Sequence, residues 1–455
     1  MVRDTPSYWN AELETLAWAE VERWQAQQIA RALPAIRARS GLYRELLGAA
    51  PADPALSDLS GLQALPFTLK EHVRAAQDRA SDEQPLGDNQ AVPLVDIVQT
   101  LSSSGTTGKP LYYGLTRHDS DMFADAIANT WYTAGLRPHD VVAHLVALPM
   151  VAGGLPYADG FRRIGATLAW LGGFPTDRIL REMRRLRCTA LLATTSFGLY
   201  LAEQWASVGQ ETGVPSRLAK VLCGGEPGLN QPTIRERITQ GLGIGHLREV
   251  MGLGDVIPAM WGECEAHEGM HFNAQKHVAI ELIDPATGDV LPWAAGATGE
   301  IVYTAFNREA TPMVRYRSRD HALVVGVDCA CGRTSPRIRC IGRTDDMLIY
   351  KGMNVFPTAI RDLVTARFAA DVEPMLRIWK ESADQVRFDD PIAIDVEASP
   401  SVAAAQYAGL GQAIESEIRN QMQVRVRVTV TPPGSLPKSA YKNSLLAVRS
   451  APPAR

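Results

Sequence analysis

Residues 101–110 read Leu-Ser-Ser-Ser-Gly-Thr-Thr-Gly-Lys-Pro, a run whose chemistry suits a polyphosphate. Gly105 and Gly108 free backbone N–H groups to face anionic oxygens, Ser103, Ser104, Thr106 and Thr107 add hydroxyl donors, and Lys109 neutralises part of the charge. The spacing is not that of a Walker loop, which needs a glycine at Ser103 and a hydroxyl residue at Pro110. Other segments carry complementary chemistry. Gly224-Gly225-Glu226-Pro227-Gly228 follows a strand-like run, and the carboxyl end of a parallel strand is where an open α/β sheet holds a flat ligand such as adenine. Asp255, closing Met251-Gly252-Leu253-Gly254-Asp255, is a natural Mg²⁺ carboxylate beside phosphates, or else a turn residue after Gly254. Asp320, closing Arg315-Tyr316-Arg317-Ser318-Arg319-Asp320, fits a ribose hydroxyl or an ion pair with an arginine neighbour.

The cysteines divide in two. Cys188 and Cys223 lie in apolar runs and read as reduced core residues. Cys329 and Cys331 share a tight turn, and Cys264 and His271 flank Gly269, so the four form a candidate structural Zn²⁺ set of the closed Cys₃His type. His267 and His277 compete as ligands, and three reduced thiols beside an unrelated histidine are the alternative.

These residues need a scaffold, and the pattern predicts an α/β one. Helical spacing fills residues 7–46, and a further helix begins after Pro66 with Thr68 as cap and Glu71 three residues on. From about residue 95, apolar runs at 141–148, 166–170, 190–193, 220–223 and 248–251 alternate with amphipathic helices. Strands dominate after Val278, predicting a β-rich subdomain over about 278–342. Beyond Gly342 the strands and helices suit a compact α+β domain. The expected organisation is a large α/β domain over 1–342 including a helical apron over 1–94, a boundary at 343–345, and a small domain over 346–455, whose tail from Ala451 reads as disordered.

The bulk numbers exclude several functions. The 455 residues are 46% hydrophobic and 21% charged with a net charge of -4, which points away from nucleic acid and from electrostatic attachment to a membrane. Residues 141–158 are nearly all apolar, yet His144, two prolines and Gly153-Gly154 make them a poor span, and they read as a buried strand leading into a loop. A cytoplasmic monomer or homodimer is expected.

In this order, the hydroxyl-rich loop, the three strand-end segments, Gly342-Arg343-Thr344-Asp345-Asp346-Met347 and the late Lys442 resemble the adenylate-forming acyl-CoA synthetase superfamily. Asn354-Val355-Phe356-Pro357 and Gly434-Ser435-Leu436-Pro437 make the phenylacetate–CoA ligase group the most similar. The resemblance implies ATP, Mg²⁺ and coenzyme A, and a small carboxylic acid activated first as an acyl-adenylate and then passed to the thiol. It implies nucleotide contacts from Ser103 to Lys109 and from Gly225, Glu226, Pro227, Asp255, Asp320 and Arg343. Lys442 is then the catalytic cation at the α-phosphate, where a bare surface lysine is the alternative. Asp345 matches a hinge about which the mobile last domain rotates, and Lys351-Gly352 the element that enters for the thiol step.

Two departures stand out: the family's Tyr-Gly-x-Thr/Ser-Glu is Met251-Gly252-Leu253-Gly254-Asp255, and Tyr441 replaces a common glycine. The acid pocket is expected between the loop over 148–157, with Gly153 and Gly154, and the residues Met251 and Trp261, suiting phenylacetate, indoleacetate or a substituted relative. The resemblance also implies zinc at the Cys/His set. Alternatives are a different acceptor, either a carrier-protein thiol or a hydroxyl, or a nucleotide-binding regulator without turnover.

Overall fold

The computed structural model describes residues 7–48, 56–103, 110–146, 150–226, 228–229, 231–351, 353–382, 385–436 and 444–449. One twelve-stranded sheet organises the larger part of the chain. At one end the strands Thr167–Trp170, Val141–His144, Ala190–Ala193, Lys220–Gly224 and His246–Leu253 run parallel in that spatial order. All four residues of Ala190–Ala193 are buried, as expected of a parallel strand with helices on both faces. The helices Thr176–Arg185, Thr195–Thr212 and Pro232–Leu242 accompany these strands.

After His246–Leu253 the sheet turns antiparallel without a break, through Ile257–Glu263, Met270–Phe272, Arg337–Arg343, Met313–Gly326, Thr298–Ala305 and Val278–Ile283 to the edge Val290–Leu291. The expected β-rich subdomain is therefore not a separate sheet. Its strands extend the α/β sheet and share one apolar core with the amino-terminal helices, from Ala26 to Ile338. Sequence patterning misses this because alternation reports a strand's faces and not its neighbours.

The helices Ala11–Thr15, Trp18–Arg39 and Gly41–Leu46 form the expected amino-terminal apron. Thr68 does not cap the next helix, Lys70–Gln77, whose N-cap is Leu69. Buried, Thr68 instead donates through its hydroxyl to the Val314 carbonyl at 2.5 Å and lies 3.1 Å from Tyr43 Oη. Tertiary pairing with the long strand outcompetes the local cap. Residues 141–158 hold a strand as expected, but the helix Leu155–Ile164 begins inside the stretch read as a loop.

Met313–Gly326 is bent by two residues of positive φ, Arg315 at 46° and Arg319 at 65°. Glutamates hold the bends. Arg315 donates to both carboxylate oxygens of buried Glu281 at 3.0 and 2.7 Å, to the Leu65 carbonyl at 2.5 Å, and stacks over Phe67. Arg317 forks onto Glu300 at 3.1 and 2.5 Å.

A separate core, from Leu348 to Val426, closes the carboxyl-terminal lobe. Its sheet runs Val426–Thr431, Ile392–Ala398, Val372–Lys380 and Leu446–Val448, with the helices Pro357–Arg367 and Tyr407–Met422 and a hairpin of Leu348–Tyr350 with Met353–Val355. The lobe meets the large sheet through polar groups: Gln231 bonds Asp362 and Thr365, Arg237 pairs with Glu373 at 2.9 Å, and Thr358 donates to the Ile341 carbonyl at 2.6 Å. No helix among the described residues is long and apolar enough to cross a membrane.

Candidate functional site

The hydroxyl-rich loop joins two antiparallel strands, Gln99–Ser102 and Tyr112–Leu115, in a register that pairs Ser102 with Tyr112. Residues 104–109, with Ser104, Gly105, Thr106, Thr107, Gly108 and Lys109, lie outside the described residues, as do Pro227, Gly352 and Lys442. The root of the loop is fixed. Ser103 N–H donates to the Leu111 carbonyl at 2.9 Å, and Ser102 N–H to the Met150 carbonyl at 2.7 Å, which brings the Gly153-Gly154 turn alongside.

Asp255 arrives from the other side, just beyond the strand His246–Leu253. Arg308 pins its backbone carbonyl at 2.7 Å, and Tyr316 Oη and Lys70 Nζ donate to its Oδ2 at 2.7 and 3.4 Å. Asp255 Oδ1, Ser103 Oγ and Tyr113 Oη are buried without a hydrogen-bond partner among the described residues. Burial first, then the adjacent Asp255 carboxylate, holds the Tyr113 and Tyr316 phenols well above their ordinary pKa. Both remain donors at neutral pH. Orphaned buried oxygens are costly, so such a group marks a place where a ligand completes the bonding.

Lys70 and Tyr113 were not singled out in the sequence, and Tyr316 was quoted without a role. Lys70 had a signal: a cation in the first turn of a helix opposes the helix dipole and calls for another reason to be there.

Glycines set the spacing of the floor. A Cβ at Gly224 would stand 2.5 Å from the Val250 carbonyl oxygen, and one at Gly252 only 2.2 Å from the Pro258 carbonyl carbon. Gly225 turns the chain at a φ of 82°. Glu226 does not present a free carboxylate there: it accepts from Ser196 N–H and Oγ at the start of the helix Thr195–Thr212. Met251 is half-buried, in register with Trp261. Trp261 itself is fully buried, donates to Tyr303 Oη at 2.9 Å and packs on Phe272, so its indole is core rather than an open wall.

Asp320 and Arg343 are cross-strand partners, with Arg343 Nη1 2.5 Å from Asp320 Oδ1 and Nη2 3.2 Å from the Ser318 carbonyl. The arginine on Asp320 is therefore the distant Arg343 and not a motif neighbour. The chain then enters the turn Thr344–Asp346, which contains Asp345, while His321 Nε2 lies 2.6 Å from Thr344 Oγ1. Lys351 sits exposed at the hairpin tip with a φ of 48°.

A second constellation joins Cys264, His271, Cys329 and Cys331, whose ligand atoms lie within 4.8 Å of one another. Cys264 Sγ is 3.7 Å from Cys329 Sγ, and Cys331 Sγ is 3.4 Å from His271 Nε2. Tetrahedral zinc with Zn–S near 2.3 Å and Zn–N near 2.1 Å requires S···S and S···N separations of about 3.8 and 3.6 Å. His271 Nδ1 meets Ser335 at 3.3 Å, leaving Nε2 toward the thiols. The competing histidines lie elsewhere: His267 meets Arg248 at 2.7 Å and His277 meets Asp125 at 3.1 Å.

Residues 22–306 match the family model of the AMP-binding enzymes, and residues 352–447 that of the AMP-binding enzyme C-terminal domain. The chain belongs to the AMP-binding enzyme family. It is 32% identical to the phenylacetate-coenzyme A ligase of Thermus thermophilus, over 94% of this chain and 96% of that protein. It is 36% identical to the phenylacetate-coenzyme A ligase of Pseudomonas putida, over 71% and 70%. The family resemblance carried by the sequence segments is borne out.

The fold is that of 2-hydroxyisobutyryl-CoA ligase in the postadenylation state in complex with 2-HIB-AMP, at a TM-score of 0.86 and 24% identity over 99% of this chain and 94% of that one. Against the same ligase in the thioesterification state the score is 0.69, at 25% identity over 98% and 94%. The expected α/β architecture with a small α+β lobe is borne out.

Proposed function

We propose that the protein is an ATP-dependent, AMP-forming acid–CoA ligase acting on an arylacetic acid, with phenylacetate the first candidate and indoleacetate or another aryl acid next. The observation that carries this is the convergence of Ser103 Oγ, Tyr113 Oη and Asp255 Oδ1, all buried and unpartnered among the described residues, at the root of the hydroxyl-rich loop beside Lys70. Donors and a carboxylate oxygen together suit a metal-bound polyphosphate. Asp255 Oδ1 would hold Mg²⁺, which when bound offsets phosphate charge. Tyr316 and Lys70 keep the other oxygen in place.

In the first half-reaction the acid's carboxylate attacks the α-phosphate, and Lys442 stabilises the charge that develops between them. Asp320, held by Arg343, accepts from the ribose hydroxyls. The turn holding Asp345 is the hinge, and Lys351-Gly352 accompanies the lobe's second orientation for thioester formation. The Cys/His set holds structural Zn²⁺ with no open position.

Release of AMP and pyrophosphate, followed with and without coenzyme A over a panel of arylacetic, aryl and fatty acids, tests the reading. Lys442→Ala is expected to abolish acid-dependent pyrophosphate release. Turnover to a stable adenylylated product with no need for a thiol would exclude the ligase. Protein purified without chelator is expected to carry close to one zinc per chain, and metal-free protein of full stability would reject the zinc assignment.

A further inference from the structure

A cavity of about 350 Å³ lies on the same strand as the candidate site and is lined by Arg235, Leu247, Glu249, Glu263, His267 and Arg339. Glu263 is fully engaged: its two oxygens accept from Arg235 Nη2 at 2.6 and 2.7 Å, and the Glu249 N–H donates at 2.8 Å. The Glu249 carboxylate accepts no hydrogen bond from the described residues, so the fold holds a spare acid facing a space large enough for a thin chain. Leu247, Glu249 and Met251 alternate onto one face of the strand His246–Leu253. Two residues of strand, about 7 Å, separate Glu249 from Met251, which the ligase reading puts at the acid pocket.

We propose that Glu249 accepts the thiol proton of the incoming cofactor arm during thioester formation. The inference rests on the ligase reading. The S–H proton passes to the Glu249 carboxylate while sulfur bonds to the acyl carbon. The C–O bond to the phosphate then breaks, AMP leaves with the electron pair, and Glu249 returns its proton to water.

The surroundings suit that exchange. Burial first, then the Glu263 carboxylate on the adjacent strand, raises Glu249 to about 7, against the pull of Arg235 on the helix Pro232–Leu242, Arg339 on the strand Arg337–Arg343 and Arg361 on the helix Pro357–Arg367. His267 in the facing turn and the thiols of Cys223 and Cys340 complete the neighbouring titratable groups. A base poised near neutrality matches a thiol whose ordinary pKa is about 8.5.

Glu249→Gln and Glu249→Asp in the full chain, with ATP and the best acid of the panel, test the assignment. Acid-dependent ATP–pyrophosphate exchange should stay within about twofold in both, while CoA-dependent AMP release falls about 100-fold in Glu249→Gln. Release of the adenylate by hydroxylamine, a nucleophile that attacks as the neutral amine, should be unchanged. The wild-type CoA step should rise with pH through about 7, lose that limb in Glu249→Gln and keep it in Glu249→Asp. An unchanged CoA step in Glu249→Gln, or equal losses in exchange and in the CoA step, would overturn the assignment while leaving the ligase standing. A wild-type protein with no exchange for any acid overturns both.

Discussion

Replacing Arg315 by methionine removes a guanidinium that forks onto Glu281, bonds the Leu65 carbonyl and covers Phe67, all in a region closed to solvent. Arg315 and Glu281 are only 3% and 4% exposed. Stranding a buried carboxylate in this way costs about 3–5 kcal/mol, whereas replacing both partners by apolar groups is close to neutral. Arg315→Met should therefore lower the unfolding free energy of the large lobe by about 4 kcal/mol. The double variant Arg315→Met/Glu281→Leu should recover all but the roughly 1 kcal/mol owed to the Leu65 carbonyl. Urea titration followed by tryptophan fluorescence reads both.

Burial already raises the Glu281 pKa against the opposing pull of Arg315, and removing the arginine raises it further. A folded-state pKa above the unfolded one contributes stability that is present at low pH and lost as pH rises. The deficit of Arg315→Met should consequently shrink between pH 7 and pH 5. A loss under about 1 kcal/mol, or a double variant no more stable than the single one, would refute the view that this arginine is structural.

Two further outcomes are expected. Gly252→Ala drives a methyl into the Pro258 carbonyl at 2.2 and 2.3 Å and the Ala259 nitrogen at 2.5 Å where the strand register shifts, so a loss of about 1–3 kcal/mol is expected by thermal melting, with weakened ATP binding by calorimetry. Unaltered melting would show that the bulge relaxes freely. His144 is buried with Nε2 3.1 Å from the Gly154 carbonyl, and burial lowers its pKa to about 4. The unfolded chain takes up this proton first, so stability is full above pH 6.5 and declines as pH falls toward 4, by up to about 3 kcal/mol. His144→Gln keeps a donor without the titration and should flatten the melting-temperature profile from pH 7 to pH 5. Parallel profiles would remove His144 as the cause.

The parallel strands and the amino-terminal helices were legible because their patterns are local, and Ala190–Ala193 lies where the apolar run places it. The site segments were legible because their residue types are chemically unusual together. The partners were not. Nothing near Asp320 in sequence announces Arg343, which strand register sets opposite it, and nothing near Arg315 announces Glu281, which a side chain at a register shift reaches across the intervening strand. Glu226 illustrates the same limit, a carboxylate in a ligand-binding turn that is committed to a helix terminus thirty residues earlier in the chain. Thr68 failed as a cap because its backbone N–H and carbonyl pair with Arg315 and Arg317 on a distant strand, which leaves the N-cap position to Leu69.

The seam between the large sheet and the carboxyl-terminal lobe is stitched by amides, hydroxyls and the Arg237–Glu373 pair. Water replaces such partners at little net cost, because each released group finds a hydrogen bond in solvent of nearly equal strength. The seam is therefore mostly a wettable joint, in which the ring of Phe356, its centroid 5.0 Å from that of His321, is an apolar contact that parting would hand to solvent.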